Sequence, residues 1–353
     1  VPALWPSVVA LACVLILRRA LAGLLMGAVA GSLLIAGGNP WAAYLDLLGE
    51  RFAPHFGNPW KAGAIAFTLI LGGFAAVVER GGGFRGLLQR FLRGSGQPAR
   101  RLQGGVMGLG LVCFFDGLAN SMLVGRVTRT LADRCGVSRV KLAYLVDSTS
   151  SAVACVAFIS TWIAFQISMV HEGLAAAGLP AEGGYAYFFR SLPYNFYCWF
   201  TLVLLAVVIW RGWNFGPMAR YERAARERGD AGVGQQGAET ASAPIWTALV
   251  PLGVLIVSLL GGYYLLGLNW AVPAGGEAVA YWPLTPEKVA VAFGSNAGPL
   301  VLVLASVLAS LAALACFPRR GAGWLAGPRA HLAGMRELAG PVCILIAAWM
   351  LSS

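Results

Sequence analysis

The sequence predicts an all-α polytopic membrane protein built as an inverted repeat, and three observations predict it. The first is composition: of 353 residues, 58% are hydrophobic and 12% charged, with a mean hydropathy of +0.70. A water-soluble domain of this size carries far more polar surface. The second is a series of apolar stretches near the length of about 20 residues that crosses a bilayer. The third is the distribution of Lys and Arg, which fall in alternate connections, as the positive-inside rule demands of cytoplasmic loops.

Taken in order, the candidate crossings lie at about 3–17, 20–37, 60–78, 143–170, 192–210, 245–268 and 289–316, with an incomplete one from Pro341 to the end. The first is short and runs into Arg18 and Arg19. The chain begins with Val1, so further N-terminal sequence is expected. No cleavable signal peptide is expected, because neither a basic n-region nor a small-residue cleavage site is visible. Lys and Arg number two at 18–19, six at 80–101, five at 126–141, five at 211–228 and four at 319–336, which is 22 of the 26. The alternate loops hold Asp46, Glu50, Glu172, Glu182, Glu277 and Glu287. The basic set is expected in the cytoplasm and the acidic set outside, in a multi-pass protein of the cell inner membrane.

That assignment is consistent only if residues 104–125 do not cross, since both flanks are basic. They are expected to form a re-entrant hairpin that enters from the cytoplasm. Its middle, Phe114-Phe115-Asp116-Gly117-Leu118-Ala119-Asn120-Ser121, is polar and interrupted by Gly. Such backbone survives at membrane depth only where protein or an aqueous cavity surrounds it. Residues 229–244 have linker composition and divide a first repeat, 1–228, from a second, 245–353. Five crossings and one hairpin precede the linker, so the second repeat starts on the opposite side, the condition for inversion. Its third crossing is cut at Ser353, before the place where its own hairpin is expected.

Asp116 and Asp147 are the carboxylates set well inside apolar segments, where an ionised acid costs several kcal/mol or takes up a proton. Asn120 follows Asp116 by four residues and shares its face wherever the backbone is helical. Asp147-Ser148-Thr149-Ser150-Ser151 places five polar residues in a membrane helix, offering hard oxygen ligands of the kind that suit Na+. The candidate proton and cation ligands are therefore Asp116, Asn120, Ser121, Asp147, Ser148, Thr149 and Thr161, with Asp116, Asn120, Asp147 and Thr149 as the Na+ ligands. The plainer alternative for Asp147 is an interfacial residue paired with Lys141 or Arg139. Glu79, next to Arg80, is expected to be a helix-end charge.

Other chemistries are disfavoured. The seven cysteines are scattered through apolar runs without CxxC spacing, and His55, His171 and His331 are expected in connecting loops, so no metal cage is assembled. The formal charge of +11 follows the loops and forms no aromatic-interleaved patch for nucleic acid. Two membrane aspartates would also serve an intramembrane protease, but neither lies in a Tyr-Asp or Gly-x-Gly-Asp setting.

Phe114 to Gly125 (FFDGLANSMLVG), Lys141 to Ile167 (KLAYLVDSTSSAVACVAFISTWIAFQI) and Ser191 to Arg223 together resemble the NhaC-type sodium/proton antiporter family of the ion transporter superfamily. The resemblance implies an inverted-repeat secondary transporter whose hairpins and interrupted helices meet near the midplane. It also implies Na+/H+ antiport with no cofactor and no enzymatic activity, the partners being the bilayer, Na+ and H+, with a homodimer left open. The chain departs from the family pattern at Gly117, where a second Asp stands, and at Ala152, where a Pro follows the Asp-Ser-Thr run. Some similar proteins carry organic solutes, so Na+- or H+-coupled transport of small organic acids or amino acids is the alternative.

Overall fold

The computed structural model describes residues 4–352 except 93–96, 115–116, 158–159, 180–183, 232–242, 271–280, 296 and 319–322. Among the described residues the secondary structure is helical, with no strand. Before the linker the chain forms α1 (Trp5–Leu17), α2 (Ala20–Ile35), α3 (Pro40–Asp46), a π-helical turn, α4 (Ala53–Gly57), α5 (Pro59–Gly81), α6 (Gly83–Leu92), α7 (Pro98–Val112) and α8 (Gly117–Arg134). It continues through α9 (Arg139–Val156), α10 (Thr161–Ala176), α11 (Gly184–Ser191), α12 (Phe196–Arg211) and α13 (Met218–Ala231). Beyond the linker lie α14 (Trp246–Trp270), α15 (Pro286–Gly294), α16 (Gly298–Ala315) and α17 (Ala326–Ser352).

Helices α5, α14, α16 and α17 are each long and apolar enough to cross a membrane. Two bent pairs, α2 with α3–α4 and the segment Tyr187–Tyr194 with α12, bring the number to as many as six where each pair is one broken span. The chain is thus an all-α polytopic membrane protein.

The core is organised around α5. Asn58 starts it by accepting from Trp60 N and Lys61 N at 2.9 and 3.2 Å, with Pro59 supplying the fixed φ of a first turn. Gly82 ends it in the left-handed region at φ 76, its N–H returning to Glu79 O. In between, Phe67, Leu71 and Phe74 are wholly buried. Lipid gives little hydrophobic drive for helices to associate, so close packing has to supply it, and small residues let backbones approach. A Cβ on Gly334 of α17 would sit 2.2 Å from Gly72 O, and one on Gly63 would sit 2.8 Å from Pro299 of α16. Contacts of Lys61 with Trp349 and of Gly72 with Leu338 set α17 antiparallel to α5. Gly63 on Pro299 and Gly298 on Trp60 set α16 parallel to it. Gly23, Gly27 and Gly31 seat α2 against Val14, Ala10 and Pro6 of α1 in the same manner.

Several expectations are corrected. The last crossing does not start at Pro341: α17 begins at Ala326, runs 27 residues and absorbs Arg329, His331, Arg336 and Glu337. The histidines lie in helices and not in loops. His55 falls in α4, His171 in α10, and His331 in α17, where its ring lies against Gly73. Crossing 143–170 is divided between α9 and α10, and the break falls at 157–160, after the Asp-Ser-Thr run and not within it. The run stays helical because Thr149, Ser150 and Ser151 return their hydroxyls to carbonyls three or four residues back. Crossing 289–316 is divided too, at 295–297. The basic stretch 211–228 holds α13, docked through buried Glu222, which accepts from Ser138 N at 2.9 Å. Most of the linker, 232–242, lies outside the described residues. The seven cysteines are free thiols, but only Cys113 and Cys198 are buried.

The α5–α17 contact yields the first prediction. Gly334→Val lowers the unfolding free energy of the detergent-solubilised protein by about 1–3 kcal/mol. Gly340→Val, six residues along the same helix where a Cβ meets nothing within 4 Å, leaves it within about 0.5 kcal/mol. Thermal unfolding of the two variants side by side checks this.

Candidate functional site

Helix α7 ends at Val112 and α8 begins at Gly117, and the chain reverses between them. The proof of reversal is one hydrogen bond: Asn120 Nδ2 donates to Gly110 O at 2.9 Å. In an unbroken helix these residues would stand about 15 Å apart along the axis. Phe115 and Asp116, at the turn, lie outside the described residues. The apolar reach from Arg101 to Val112 is about 17 Å and that from Gly117 to Arg126 about 14 Å, close to half of a hydrocarbon core. Neither arm is long enough to cross the core by itself.

Glycine lets the tip dock. A Cβ on Gly110 would lie 2.5 Å from Thr149 Oγ1 of α9, so α7 meets α9 there without a side chain between them. Thr149 is fully buried, and its hydroxyl donates to Leu145 O at 2.9 Å and also lies 3.0 Å from Val146 O. A Cβ on Gly117 would lie 3.1 Å from Trp162 Nε1 and 3.3 Å from Ser150 O. The tip thus rests where α9 ends and α10 begins. Ser160 secures that break: its hydroxyl donates to Ala154 O at 2.6 Å and accepts from Ile163 N at 3.1 Å, capping α10.

Asn120 is 1% exposed, and its Oδ1 has no hydrogen-bond partner among the described residues. A buried amide oxygen without a donor is costly and calls for an occupant. The structure therefore gathers Asn120, Gly110 and Thr149 at one point beneath the tip. Ser148 is buried and bonded to Tyr144, while Ser121 is half-buried on α8. The Thr161 side chain lies outside the described residues. Asp147 is exposed and projects about 200° around α9 from Thr149, on the side of Ser150 and Ser151. Its suggested interfacial partners are engaged elsewhere. Arg139 pairs with Asp133 at 3.2 Å, and Lys141 Nζ donates to Asn214 Oδ1 at 2.7 Å and to Trp213 O at 3.2 Å.

One cluster had no distinct sequence signal. Arg126 of α8 pairs with Glu337 of α17 at 2.7 Å and with Glu79 of α5 at 3.4 Å. Glu79 is no plain helix-end charge, since it faces Arg126 across a helix contact. The two acids that Arg126 bridges lie 47 and 211 positions from it in sequence, beyond any spacing rule. Among the described residues no group of three or more His, Cys, Asp or Glu could hold a metal ion.

A docked hairpin tip with helices broken beside it makes this a polytopic helical membrane protein with irregular backbone inside its bundle. Residues 153–353 match the Na+/H+ antiporter family, and the chain belongs to that family. An uncharacterised protein of Haemophilus influenzae is 23% identical over 351 residues, covering 98% of this chain, and the chain spans 65% of that relative's length. No solved structure matches.

Two outcomes test the site's construction. Gly110→Val drives a side chain into Thr149 and lowers stability by about 1–3 kcal/mol, read by thermal unfolding. Arg126→Gln and Glu337→Gln each cost about 1 kcal/mol or less because the pair is partly exposed. The double variant costs no more than the larger single loss, and strict additivity would mean that the two side chains act separately.

Proposed function

We propose that the chain is the larger part of a secondary transporter of the NhaC type, which exchanges Na+ for H+ across the cell inner membrane. The observation that carries the reading is the buried, unpartnered Asn120 Oδ1 beneath the hairpin tip. It lies four residues after Asp116 in sequence, on a side chain bonded to Gly110, against which the buried Thr149 packs. Neutral oxygens and a nearby carboxylate match the preference of an alkali cation, a hard ion that takes oxygen ligands.

In this mechanism Asp116 binds either a proton or, with Asn120 Oδ1, Na+. Occupation by one expels the other, since the second positive charge has no counter-charge in a low-dielectric site. Thr149 Oγ1 keeps lone-pair capacity while its proton is spent on Leu145 O. Asp147, with Ser151 beside it on the exposed face of α9, serves as a relay at the mouth of the route. The exchange needs no cofactor; its partners are the two ions and the bilayer.

Proton-coupled Na+ flux of the full-length protein in proteoliposomes tests the reading. Asp116→Asn abolishes coupled flux, and Asn120→Ala raises the apparent KM for Na+ by roughly tenfold, the cost of one ligand of about 1.4 kcal/mol. Competition at one site also makes the wild-type KM fall as pH rises, until the acid is deprotonated. Unchanged flux in Asp116→Asn, or a KM indifferent to pH, overturns it.

A further inference from the structure

A groove of about 550 Å³ runs between α7 and α12, away from the hairpin tip. Arg100 and Arg101 stand at its mouth, one turn from the start of α7. Its walls are Met107 of α7 and Ile209 and Trp210 of α12. Gly104 leaves it open, because a Cβ there meets nothing within 4 Å. Among the described residues no Asp or Glu lines it. Arg211 adds a third cation at the same corner, its guanidinium 5.3 Å from the Trp210 ring centre.

The depth and sign of these groups are informative together. The basic ends of α7 and α12 are the cytoplasmic ends by the positive-inside rule, and Trp210, 65% exposed, sits where aromatic side chains mark the interface. Below it, α12 presents Phe200, Val203 and Leu204 outward, an apolar face continuous with the groove. A ligand that fits is anionic at one end and apolar at the other, with the charge at headgroup level. A free anion has no use for the apolar floor, and a neutral lipid has none for the arginines. The cytoplasmic leaflet supplies the matching molecule, since its anionic lipids are drawn to clustered Lys and Arg.

We propose that the α7–α12 groove binds one anionic phospholipid of the cytoplasmic leaflet, its phosphate held by Arg100 and Arg101 and its acyl chain laid along Met107 and Ile209. Because α7 is the entering arm of the hairpin, the bound lipid braces the arm that carries the tip. The site is independent of which ion the protein moves.

The test is native mass spectrometry of the full-length protein in neutral detergent, titrated separately with phosphatidylglycerol, phosphatidylcholine and inorganic phosphate. Phosphatidylglycerol stays bound, and the other two do not. Arg100→Ala/Arg101→Ala weakens phosphatidylglycerol binding by roughly tenfold or more. Arg220→Ala/Arg223→Ala removes the same charge from the exposed side of α13 and changes nothing. Gly104→Leu puts a side chain into the groove from a Cβ position that meets nothing within 4 Å, so lipid-free unfolding is not lowered while binding is lost. Equal binding by the Arg100/Arg101 double variant, retention by Gly104→Leu, or phosphate binding as tight as phosphatidylglycerol overturns the proposal.

Discussion

The structure depends on backbones that approach one another closely enough to exclude side chains. Between helices already in lipid, burying another Leu gains little, so association rests on dense packing. Gly72 and Gly334 provide it at the centre, where α17 lies directly on α5. Gly63 with Pro299, and Gly298 with Trp60, provide it for α16. The two halves of the chain are consequently not side by side: α5, from before the linker, is packed against α14, α16 and α17 from beyond it. The first half has no complete core without the second.

The candidate site is the same device put to another use. Gly110 and Gly117 remove the side chains that would hold the hairpin tip away from α9 and α10, and the space they save is lined by carbonyls and an amide. Such groups tolerate membrane depth only when paired or occupied. Gly110 O is paired with Asn120 Nδ2, whereas the other end of that amide is not paired. Gly117 also bears on the departure from the family pattern. A side chain there would begin 3.1 Å from the Trp162 indole nitrogen, so in this chain Trp162 takes the space that a second aspartate would need.

How far the sequence could be read depended on whether the signal was local. The hairpin was legible because basic residues on both flanks, together with Gly and Asn in the middle, leave a single-sided path as the simplest solution. The long apolar helices were legible from hydropathy alone. The start of α17 was not, because Arg329, His331, Arg336 and Glu337 dilute its hydropathy. What makes those residues acceptable lies far off in sequence: Arg126 for Glu337 and Gly73 for His331. The position of the break in the α9–α10 crossing was not legible, for a local reason. Serine and threonine can either free a helix carbonyl or satisfy one, and in Thr149, Ser150 and Ser151 they satisfy it.

The Arg126 cluster joins these threads. Arg126 lies on the leaving arm of the hairpin, about 14 Å from the tip, and bridges to acids on α5 and α17. Those two helices share the most extensive contact among the described elements, so the arm is tied to the centre of the bundle. The entering arm has no such tie among the described ion pairs; it meets α9 at Gly110 and the open groove beside α12. The hairpin is therefore held asymmetrically, by charge along α8 and by shape along α7. In the proposed exchange the tip yields on one side, and the arm free of ion pairs among the described residues is α7. Its bond at that point is the contact between Gly110 and Asn120, the same bond that leaves the Asn120 oxygen facing the site.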